Sequence, residues 1–158
     1  MNHPVSVRTL QESDLEAWVP LWNGYNAFYD REGPTALDPE ITRMTWLRFF
    51  DPAEPVFALV AEAEGRLVGL CHYLQHRSTT RIELVTYLQD LFTLPEARGR
   101  GVGRALIEAV YLAAKNNGIK RVYWHTRHIN VAGRLLYDKV ARHDGVIVYA
   151  HEEHATRR

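Results

Sequence analysis

Apolar residues recur along the first third of this chain with the three- to four-residue spacing of amphipathic helices. One such pattern covers residues 15–29 and a second covers residues 39–50. Residues 13–16 read Ser-Asp-Leu-Glu, a capping box that predicts a helix with Ser13 as its N-cap. Pro20 should kink or split this helix. An Asp-Pro pair at 38–39 predicts the start of the second helix. The expected buried stripe of the second helix consists of Ile41, Met44, Leu47 and Phe50.

Beyond residue 55 the pattern changes to short apolar runs, which are typical of β-strands. Two runs, 56–61 and 67–73, flank a turn at Glu64-Gly65 and predict a β-hairpin. A longer run rich in β-branched and aromatic residues predicts a strand over residues 82–94, which Pro95 ends.

The clearest helical period of the chain covers residues 102–113, and Gly118 supplies a glycine of the kind that commonly ends a helix. We then expect a short strand at 121–125, a helix capped by Asn130, and a last strand at 146–150. With a first strand over residues 5–8, whose side chains alternate, the order β, α, α, β, β, β, α, β, α, β predicts a mixed α/β fold in which helices pack on one sheet. The length of 158 residues predicts a single domain over residues 1–158.

Composition and charge narrow the classes of function. Lys and Arg together number 19, as do Asp and Glu, so the formal net charge is zero. This neutrality argues against nonspecific binding to nucleic acid. Cys71 is the only cysteine, so no internal disulfide can form, and the chain fits a reducing cytoplasm. No apolar run approaches the length that spans a membrane, and we predict no metal site.

A glycine-rich turn joins the long strand to the clearest helix. It reads Arg-Gly-Arg-Gly-Val-Gly over residues 98–103 and is called the glycine turn below. Glycines let the main chain approach a ligand closely, and the free N–H groups at a helix N-terminus attract phosphate. The turn is not a Walker A loop, and its spacing departs from the Rossmann fingerprint. Taken alone, it fits a phosphate site and a solvated helix-capping loop equally well.

The residues around the glycine turn resemble motif A of the GCN5-related N-acetyltransferases (GNAT family). The stretch from Leu88 to Leu106 contains the family pattern Q/R-x-x-G-x-G/A. The matching residues are Arg98, Gly101 and Gly103. The resemblance continues through residues 122–126, Asn130 and residues 137–140, where the family has a strand, a helix-capping Asn and a helix carrying a Tyr. The two blocks together look most like the histone, polyamine and diamine acetyltransferase branch.

This resemblance implies a fold, a reaction and a coenzyme site. The fold is α/β, a mixed, mostly antiparallel central sheet with a splayed centre and helices on both faces. The reaction is direct transfer of acetyl from acetyl-CoA to a primary amine within a ternary complex. The implied coenzyme-binding residues belong to the splayed strand, the glycine turn with the residue after it, and the capping Asn. They are Leu91, Phe92, Thr93, Arg98, Gly99, Arg100, Gly101, Val102, Gly103, Arg104 and Asn130.

Two residues are expected to be catalytic. Tyr137 matches the family Tyr that gives a proton to the leaving thiolate. The family Glu that serves as base corresponds to Gln89, which cannot accept a proton at neutral pH. We expect Asp90 to act instead, although it faces this side of the sheet only if a bulge breaks the strand's alternation. Asn130 fits a plain helix cap and a contact to the pantetheine arm equally well. The alternative bases are His72, His125, Glu83 and an ordered water.

Aromatic residues are abundant between Trp18 and Phe50, which favours a core for the group as a whole. Trp22, Tyr25 and Tyr29 are nevertheless expected to line the acceptor pocket. We expect a small-molecule amine or a protein lysine as the partner, a homodimer, and neither nucleic acid nor membrane. Two other functions stay open: a noncatalytic acyl-CoA-binding regulatory module, which the missing Glu favours, and a nucleotide-binding protein.

Overall fold

A five-stranded sheet is the centre of the computed structural model, which describes residues 4–153. The strands lie in chain order, and neighbours are antiparallel except for the parallel pair β4 and β5. The strands are β1 Ser6–Thr9, β2 Val56–Ala63, β3 Arg66–His76, β4 Val85–Thr93 and β5 Val122–Tyr123. The mixed, mostly antiparallel sheet expected from the sequence is therefore confirmed.

The structure contains four α-helices within residues 4–153. They are α1 Leu15–Phe28, α2 Pro39–Phe49, α3 Val102–Asn116 and α4 Val131–Val140. Asp38 caps α2 and Asn130 caps α4, as predicted. None of these helices has the length and the apolar character needed to cross a membrane, in the part of the chain that the structure describes.

Helices α1 and α3 cover opposite faces of the sheet. Successive residues of a strand point to opposite sides, so two neighbouring residues of β3 identify the two faces. Leu70 of β3 and Phe92 of β4 belong to the core cluster formed with α1. Gly69, the neighbour of Leu70, instead faces Val102 of α3. These two surfaces are called the α1 face and the α3 face below.

A glycine allows the close approach on each face. A Cβ atom on Gly24 of α1 would lie 2.7 Å from Cζ of Phe92. A Cβ atom on Gly69 would lie 2.8 Å from Cγ1 of Val102 and 3.0 Å from the Phe92 carbonyl oxygen. Any larger residue would push the helix away from the sheet, so these glycines set where both helices lie.

The first helix begins after Ser13, which lies in a 3₁₀ turn, Glu12–Asp14, so the prediction of Ser13 as N-cap is wrong. Asp14 takes the N-cap position and accepts hydrogen bonds of 2.8 and 2.9 Å from the Arg8 guanidinium. Those hydrogen bonds hold the pKa of Asp14 below its ordinary value. Pro20 lies within the continuous helix and does not split it.

Helix α2 is rotated relative to its predicted apolar stripe, of which Phe50, just after the helix, still packs against the core. Ile41 and Leu47 are 47% and 49% exposed, so the predicted stripe is wrong at these positions. Trp46 and Phe49 pack against the core, with ring centroids 5.1 and 6.0 Å from that of Trp18. Aromatic rings bury more surface than aliphatic side chains, which explains the rotation.

The end of α3 follows the prediction closely. Gly118 has φ of 70°, its N–H donates to the Lys115 carbonyl, and the Ile119 N–H donates to the Ala114 carbonyl. This is the Schellman arrangement that a glycine after a helix favours.

The chain divides into two compact units, one ending at His125 and the other beginning at Thr126. A single domain over residues 1–158 therefore stays a prediction. In the second unit, residues 141–153 form no strand, so the strand predicted at 146–150 is wrong. Val146, Ile147, Val148 and Tyr149 are 63–88% exposed. A β-rich composition gives only a tendency, and within residues 4–153 this segment has no strand beside it.

Candidate active site

A β-bulge interrupts β4 where it pairs with β3. His72 pairs with Asp90, but the next residue of β3, Tyr73, pairs with Leu88, so Gln89 has no partner on β3. A bulge of this kind shifts the alternation of side chains by one residue. Gln89 is exposed, whereas Asp90 is only 7% exposed. The bulge on which the Asp90 prediction depends is therefore present.

The bulge also brings Tyr87 to the face that carries Asp90. Tyr87 pairs with Leu74 and Asp90 pairs with His72, and these two residues of β3 share a face. In a regular strand, positions 87 and 90 would point to opposite sides. The Tyr87 hydroxyl lies 3.3 Å from Nδ1 of His125. Burial raises the pKa of Tyr87, and the charge of Asp90 raises it further.

A buried histidine orients Asp90. Nδ1 of His72 lies 2.8 Å from Oδ2 of Asp90, and Nε1 of Trp18 lies 3.1 Å from Nε2 of His72. An indole N–H can only donate, so Nε2 accepts and Nδ1 carries the hydrogen that His72 donates to Asp90. His72 is 2% exposed and both of its ring nitrogens are engaged. It therefore holds the carboxylate in place and has no nitrogen left for a substrate.

Tyr25 of α1 is 7% exposed and is close enough to Asp90 to respond to its charge. Burial raises the pKa of Tyr25, and the charge of Asp90 raises it further. The hydroxyl therefore stays protonated at neutral pH. The group that surrounds the carboxylate is called the Asp90 cluster below and consists of Trp18, Tyr25, His72, Tyr87 and Asp90.

The alternative bases differ in what surrounds them. His72 is enclosed, as described above. His125 is exposed and contacts Tyr87 at the rim of the cluster. Glu83 lies before β4, 3.3 Å from Arg81, and a hydrogen bond from its own main chain lowers its pKa. Of these candidates, Asp90 is the carboxylate that the sheet brings into the cluster.

The predicted pocket residues lie at different depths. Tyr29 is half-buried, with its ring centroid 5.1 Å from that of Tyr25. Trp22 is 6% exposed, and its indole N–H donates to Oγ1 of Thr42 at 3.0 Å. Trp22 stacks on Tyr25 at 5.7 Å and supports it from within the core. Contact of these side chains with an acceptor stays a prediction.

Arg31 is a residue that the sequence did not single out. Its guanidinium carbon lies 5.6 Å from the ring centroid of Tyr25 and 5.3 Å from that of Tyr29. Its Nε donates to Oδ1 of Asn26 at 2.8 Å. No sequence pattern marks this residue, because its position depends on how the chain leaves α1.

The other edge of β4 is open along most of its length. β5 pairs only with Thr86 and Tyr87, so in the described sheet no strand lies beside β4 from residue 88 to Thr93 on that side. This is the splayed centre that the family resemblance implied. An unpaired strand edge offers main-chain N–H and C=O groups to a ligand. The Phe92 side chain is buried in the core, so a ligand would meet only the main chain there.

The glycine turn forms the N-terminus of α3. Gly99 and Gly101 have φ of 76° and 79°, in the left-handed region that glycine adopts readily. Gly101 is the N-cap, and no side chain caps the helix in the part of the chain that the structure describes. The first N–H groups of a helix have no partner within it, so here they point outward without a competing acceptor. Residues 98–101 are all exposed.

The arginines of this region have local contacts. Nε of Arg98 donates to the Thr93 carbonyl at 3.3 Å. Arg104 pairs with Glu108 at 3.0 Å, one turn along α3. Arg100 is exposed. Since Val102 is 2% exposed and packs against Gly69, the turn is anchored to β3 by the first residue of the helix.

The second unit contains the other two predicted residues. Oδ1 of Asn130 accepts from the Gly133 N–H at 3.2 Å, and its Nδ2 donates to Oγ1 of Thr126 at 3.0 Å. A Cβ atom on Gly133 would lie 2.4 Å from Nδ2 of Asn130, so a glycine makes room for the cap. The capping role of Asn130 is confirmed. Tyr137 is half-buried and lies two turns further along α4.

Comparison with known proteins identifies a family that matches this chain and several similar proteins. The model of the acetyltransferase (GNAT) family matches residues 18–141. The D-amino-acid N-acetyltransferase HPA3 of Saccharomyces cerevisiae is 38% identical over 151 residues, which cover 94% of this chain and 91% of the relative. The thialysine N-epsilon-acetyltransferase of Mus musculus is 27% identical over 104 residues, which cover 61% of this chain and 59% of the relative.

A solved structure supports the same fold. The structure of AAC(6')-Iy in complex with the bisubstrate analogue CoA-S-monomethyl-acetylneamine has a TM-score of 0.78 and 19% sequence identity. The similarity covers 96% of this chain and 99% of that one.

Proposed function

Because this chain belongs to the acetyltransferase (GNAT) family, we propose that it transfers acetyl from acetyl-CoA to a primary amine by direct attack in a ternary complex. The observation that carries this proposal is the buried carboxylate of Asp90 at a bulge of β4, the strand that leads into the glycine turn. One strand thus connects a group able to accept a proton with a turn able to hold a diphosphate.

The coenzyme side of the proposal is supported by main-chain geometry. The uncapped N-terminus of α3 and the left-handed Gly99 and Gly101 suit a diphosphate, which would accept hydrogen bonds from the N–H groups of residues 101–104. The open edge of β4 suits the amide groups of a pantetheine arm. The proposed contact residues are Leu91, Phe92, Thr93, Arg98, Gly99, Arg100, Gly101, Val102, Gly103, Arg104 and Asn130.

The proposed base is Asp90. A free alkylamine has a pKa of about 10, so it must lose a proton before it can attack a thioester. Asp90 would accept this proton directly or through one water, while His72 keeps the carboxylate oriented. Tyr25 and Tyr87 keep their hydroxyl hydrogens at neutral pH because burial raises the pKa of each. They would therefore hydrogen-bond to the carboxylate or to the acceptor as donors.

The proposed acid is Tyr137. Its place in the family motif supports a role in giving a proton to the thiolate that leaves the acetyl group. An ordinary phenol keeps its hydrogen at neutral pH, whereas an ordinary carboxyl group has lost its own, so a tyrosine suits this role better than an aspartate or a glutamate.

Direct transfer is favoured over a covalent acyl-enzyme. Cys71 is the only cysteine of the chain and is fully buried. Burial raises the pKa of its thiol, and a buried thiol is a poor nucleophile. A ternary complex predicts intersecting lines in initial-rate plots, whereas a covalent intermediate gives the parallel lines of ping-pong kinetics.

The acceptor is proposed to be an amine that is cationic in solution, since Asp90 supplies negative charge where it would bind. The relative named a D-amino-acid N-acetyltransferase supports amino acids as the first class to test. Polyamines, other small amines and protein lysines form the remaining classes. Tyr25 and Tyr29, with Trp22 behind them, are the proposed walls.

We also propose that the chain forms a homodimer and acts in the cytoplasm. The consecutive apolar side chains Val146–Tyr149 are 63–88% exposed, and exposed apolar segments commonly mark an interface. The single cysteine fits a reducing compartment. Light scattering coupled to gel filtration tests the dimer, with Ile147→Lys as the variant expected to yield monomer.

The central experiment is a panel of amines incubated with acetyl-CoA, with release of free thiol as the readout. The panel contains D- and L-amino acids, diamines, an aminoglycoside and a lysine peptide. Turnover of at least one amine, lost in Asp90→Asn, supports the proposal. Coenzyme binding without turnover on any member would instead indicate a noncatalytic acyl-CoA-binding module.

A further inference from the structure

Arg31 sits at a fixed position where the chain leaves α1. Asp30 adopts the left-handed region with φ of 61°, which is uncommon for a residue other than glycine. The Asp30 N–H donates to the Ala27 carbonyl at 3.0 Å, and the Arg31 N–H donates to the Asn26 carbonyl at 2.9 Å. These two bonds form a Schellman arrangement. The two hydrogen bonds therefore fix the main chain of Arg31 to the end of α1.

The side chain of Arg31 is oriented as firmly as its main chain. Asn26 is 5% exposed and is itself locked, because its Nδ2 donates to the Trp22 carbonyl at 2.9 Å. Its remaining oxygen accepts the Nε hydrogen of Arg31 at 2.8 Å. The guanidinium lies near the rings of Tyr25 and Tyr29. Cation–π contacts of this kind stabilise the charge without using its outer nitrogens.

The outer edge of the guanidinium is left for a ligand. Among residues 4–153, neither Nη atom of Arg31 forms a hydrogen bond or a salt bridge. Two parallel N–H groups on a planar cation match the two oxygens of a carboxylate. Arg31 is half-buried, and in the described part of the chain only the Nε of its side chain donates a hydrogen bond. Its outer nitrogens are therefore positioned to bind a carboxylate.

Tyr25 links this cation to the proposed base. Arg31 lies over the face of the Tyr25 ring, and Asp90 lies close to its hydroxyl. A positive and a negative group are thus one tyrosine ring apart. An α-amino acid carries the complementary charges, a carboxylate and an ammonium group one carbon apart.

From this arrangement, and resting on the proposed function, we propose that Arg31 binds the carboxylate of an α-amino acid acceptor while Asp90 faces its amino group. Arg31 would then determine specificity: amino acids bind through both ends, whereas amines without a carboxylate bind through one. The carboxylate would stay unchanged in the reaction, and the amino nitrogen would form the bond to the acetyl carbon as the carbon–sulfur bond breaks.

The test compares an amino acid with its uncharged analogue. D-Phenylalanine, L-phenylalanine and the amide of each are assayed with acetyl-CoA, using the wild-type chain, Arg31→Gln, Arg31→Lys and the control Arg66→Gln. Arg66 is an exposed arginine at the start of β3. We expect kcat/KM for the preferred acid to fall about 10- to 100-fold in Arg31→Gln, the range of a lost charge-assisted hydrogen bond. The value for the amide and the KM for acetyl-CoA should change less than about threefold, and Arg31→Lys should restore part of the preference.

Two results would overturn this inference and leave the proposed function standing. One is a wild-type chain that acetylates the amide as well as the acid. The other is an Arg31→Gln variant that loses both substrates equally, since a merely structural role predicts that result. Calorimetric binding of N-acetylphenylalanine and its amide gives a second readout that needs no turnover. If no amine releases thiol but the acid product still binds more tightly to wild type than to Arg31→Gln, the proposed function fails while the carboxylate site is supported.

Discussion

On the α3 face of the sheet, the candidate site consists mainly of main-chain groups, whereas on the α1 face it consists of side chains. The α3 site depends on the conformation of the glycine turn and on the uncapped start of a helix. The α1 site depends on Asp90 and on the residues that orient it. Main-chain N–H groups are present whatever the residue, so a site built from them tolerates substitution. A site built from side chains changes its specificity when those residues are substituted. This difference agrees with the proposed function, in which the α3 face would hold the diphosphate of the coenzyme and the α1 face would select the acceptor.

The largest effect should come from Gly103→Glu on the α3 face. The added carboxylate would stand at the positive end of α3 and repel a diphosphate there. We expect calorimetry to detect no coenzyme binding at concentrations that saturate the wild type. Asn116→Glu is the matched control, because it places the same charge on an exposed residue at the opposite end of the same helix. Equal loss in both variants would contradict the assignment.

The next largest effect should come from Asp90→Asn on the α1 face. The amide keeps the shape but cannot take a proton, so kcat should fall about 100-fold or more. Coenzyme affinity should not change, because the proposed diphosphate site lies on the other face of the sheet. Gln89→Glu serves as the neighbouring control. If the added Glu raises activity or rescues Asp90→Asn, the base lies at the position where the family has it.

A smaller loss is expected for Tyr137→Phe. Removing the hydroxyl should lower kcat about 100-fold, the lower end of the usual contribution of a general acid, and leave coenzyme binding nearly intact. Tyr149→Phe is the control, since Tyr149 is 88% exposed. Full kcat in Tyr137→Phe over the whole pH range would remove this residue from the reaction.

The smallest effects should come from the two glycines that set the helices on the faces. Gly24→Ala and Gly69→Ala should each lower the free energy of unfolding by about 1–3 kcal/mol, as overpacking usually does. Urea unfolding measures this, with the exposed Asn23→Ala as control. In kinetics, Gly24→Ala should raise the KM of the amine and Gly69→Ala that of acetyl-CoA. The reverse pattern would mean that the faces have been assigned wrongly.

The two faces also differ in how far the sequence could predict them. The glycine turn was predicted at the right residues, because left-handed glycines and a helix start leave a local signature at Gly99 and Gly101. Asp90 was predicted only on the condition of a bulge, because a single unpaired residue such as Gln89 does not alter the composition of a strand. Arg31 was not predicted, because its position arises from the end of α1 and from Asn26.

Elsewhere, predictions failed where contacts between elements determine which residues are buried or whether a strand forms. The stripe of α2 was placed on Ile41 and Leu47, but the aromatic surface of Trp18 attracts Trp46 and Phe49 instead. The strand at 146–150 was predicted from its β-branched residues, but a strand also needs a neighbour. In α3 the spacing predicted buried residues correctly, at Val102, Leu106 and Val110. In α2 and at 146–150 it was not enough, because contacts with other elements decide there.

A crystal structure with a bisubstrate analogue, in which coenzyme A is joined to the amino nitrogen of D-phenylalanine, tests the central claim most directly. The account predicts the diphosphate against the main-chain N–H groups of residues 101–104 and the amino nitrogen within hydrogen-bond distance of the Asp90 cluster. A diphosphate bound elsewhere, or an amino nitrogen far from Asp90 and its tyrosines, would contradict it.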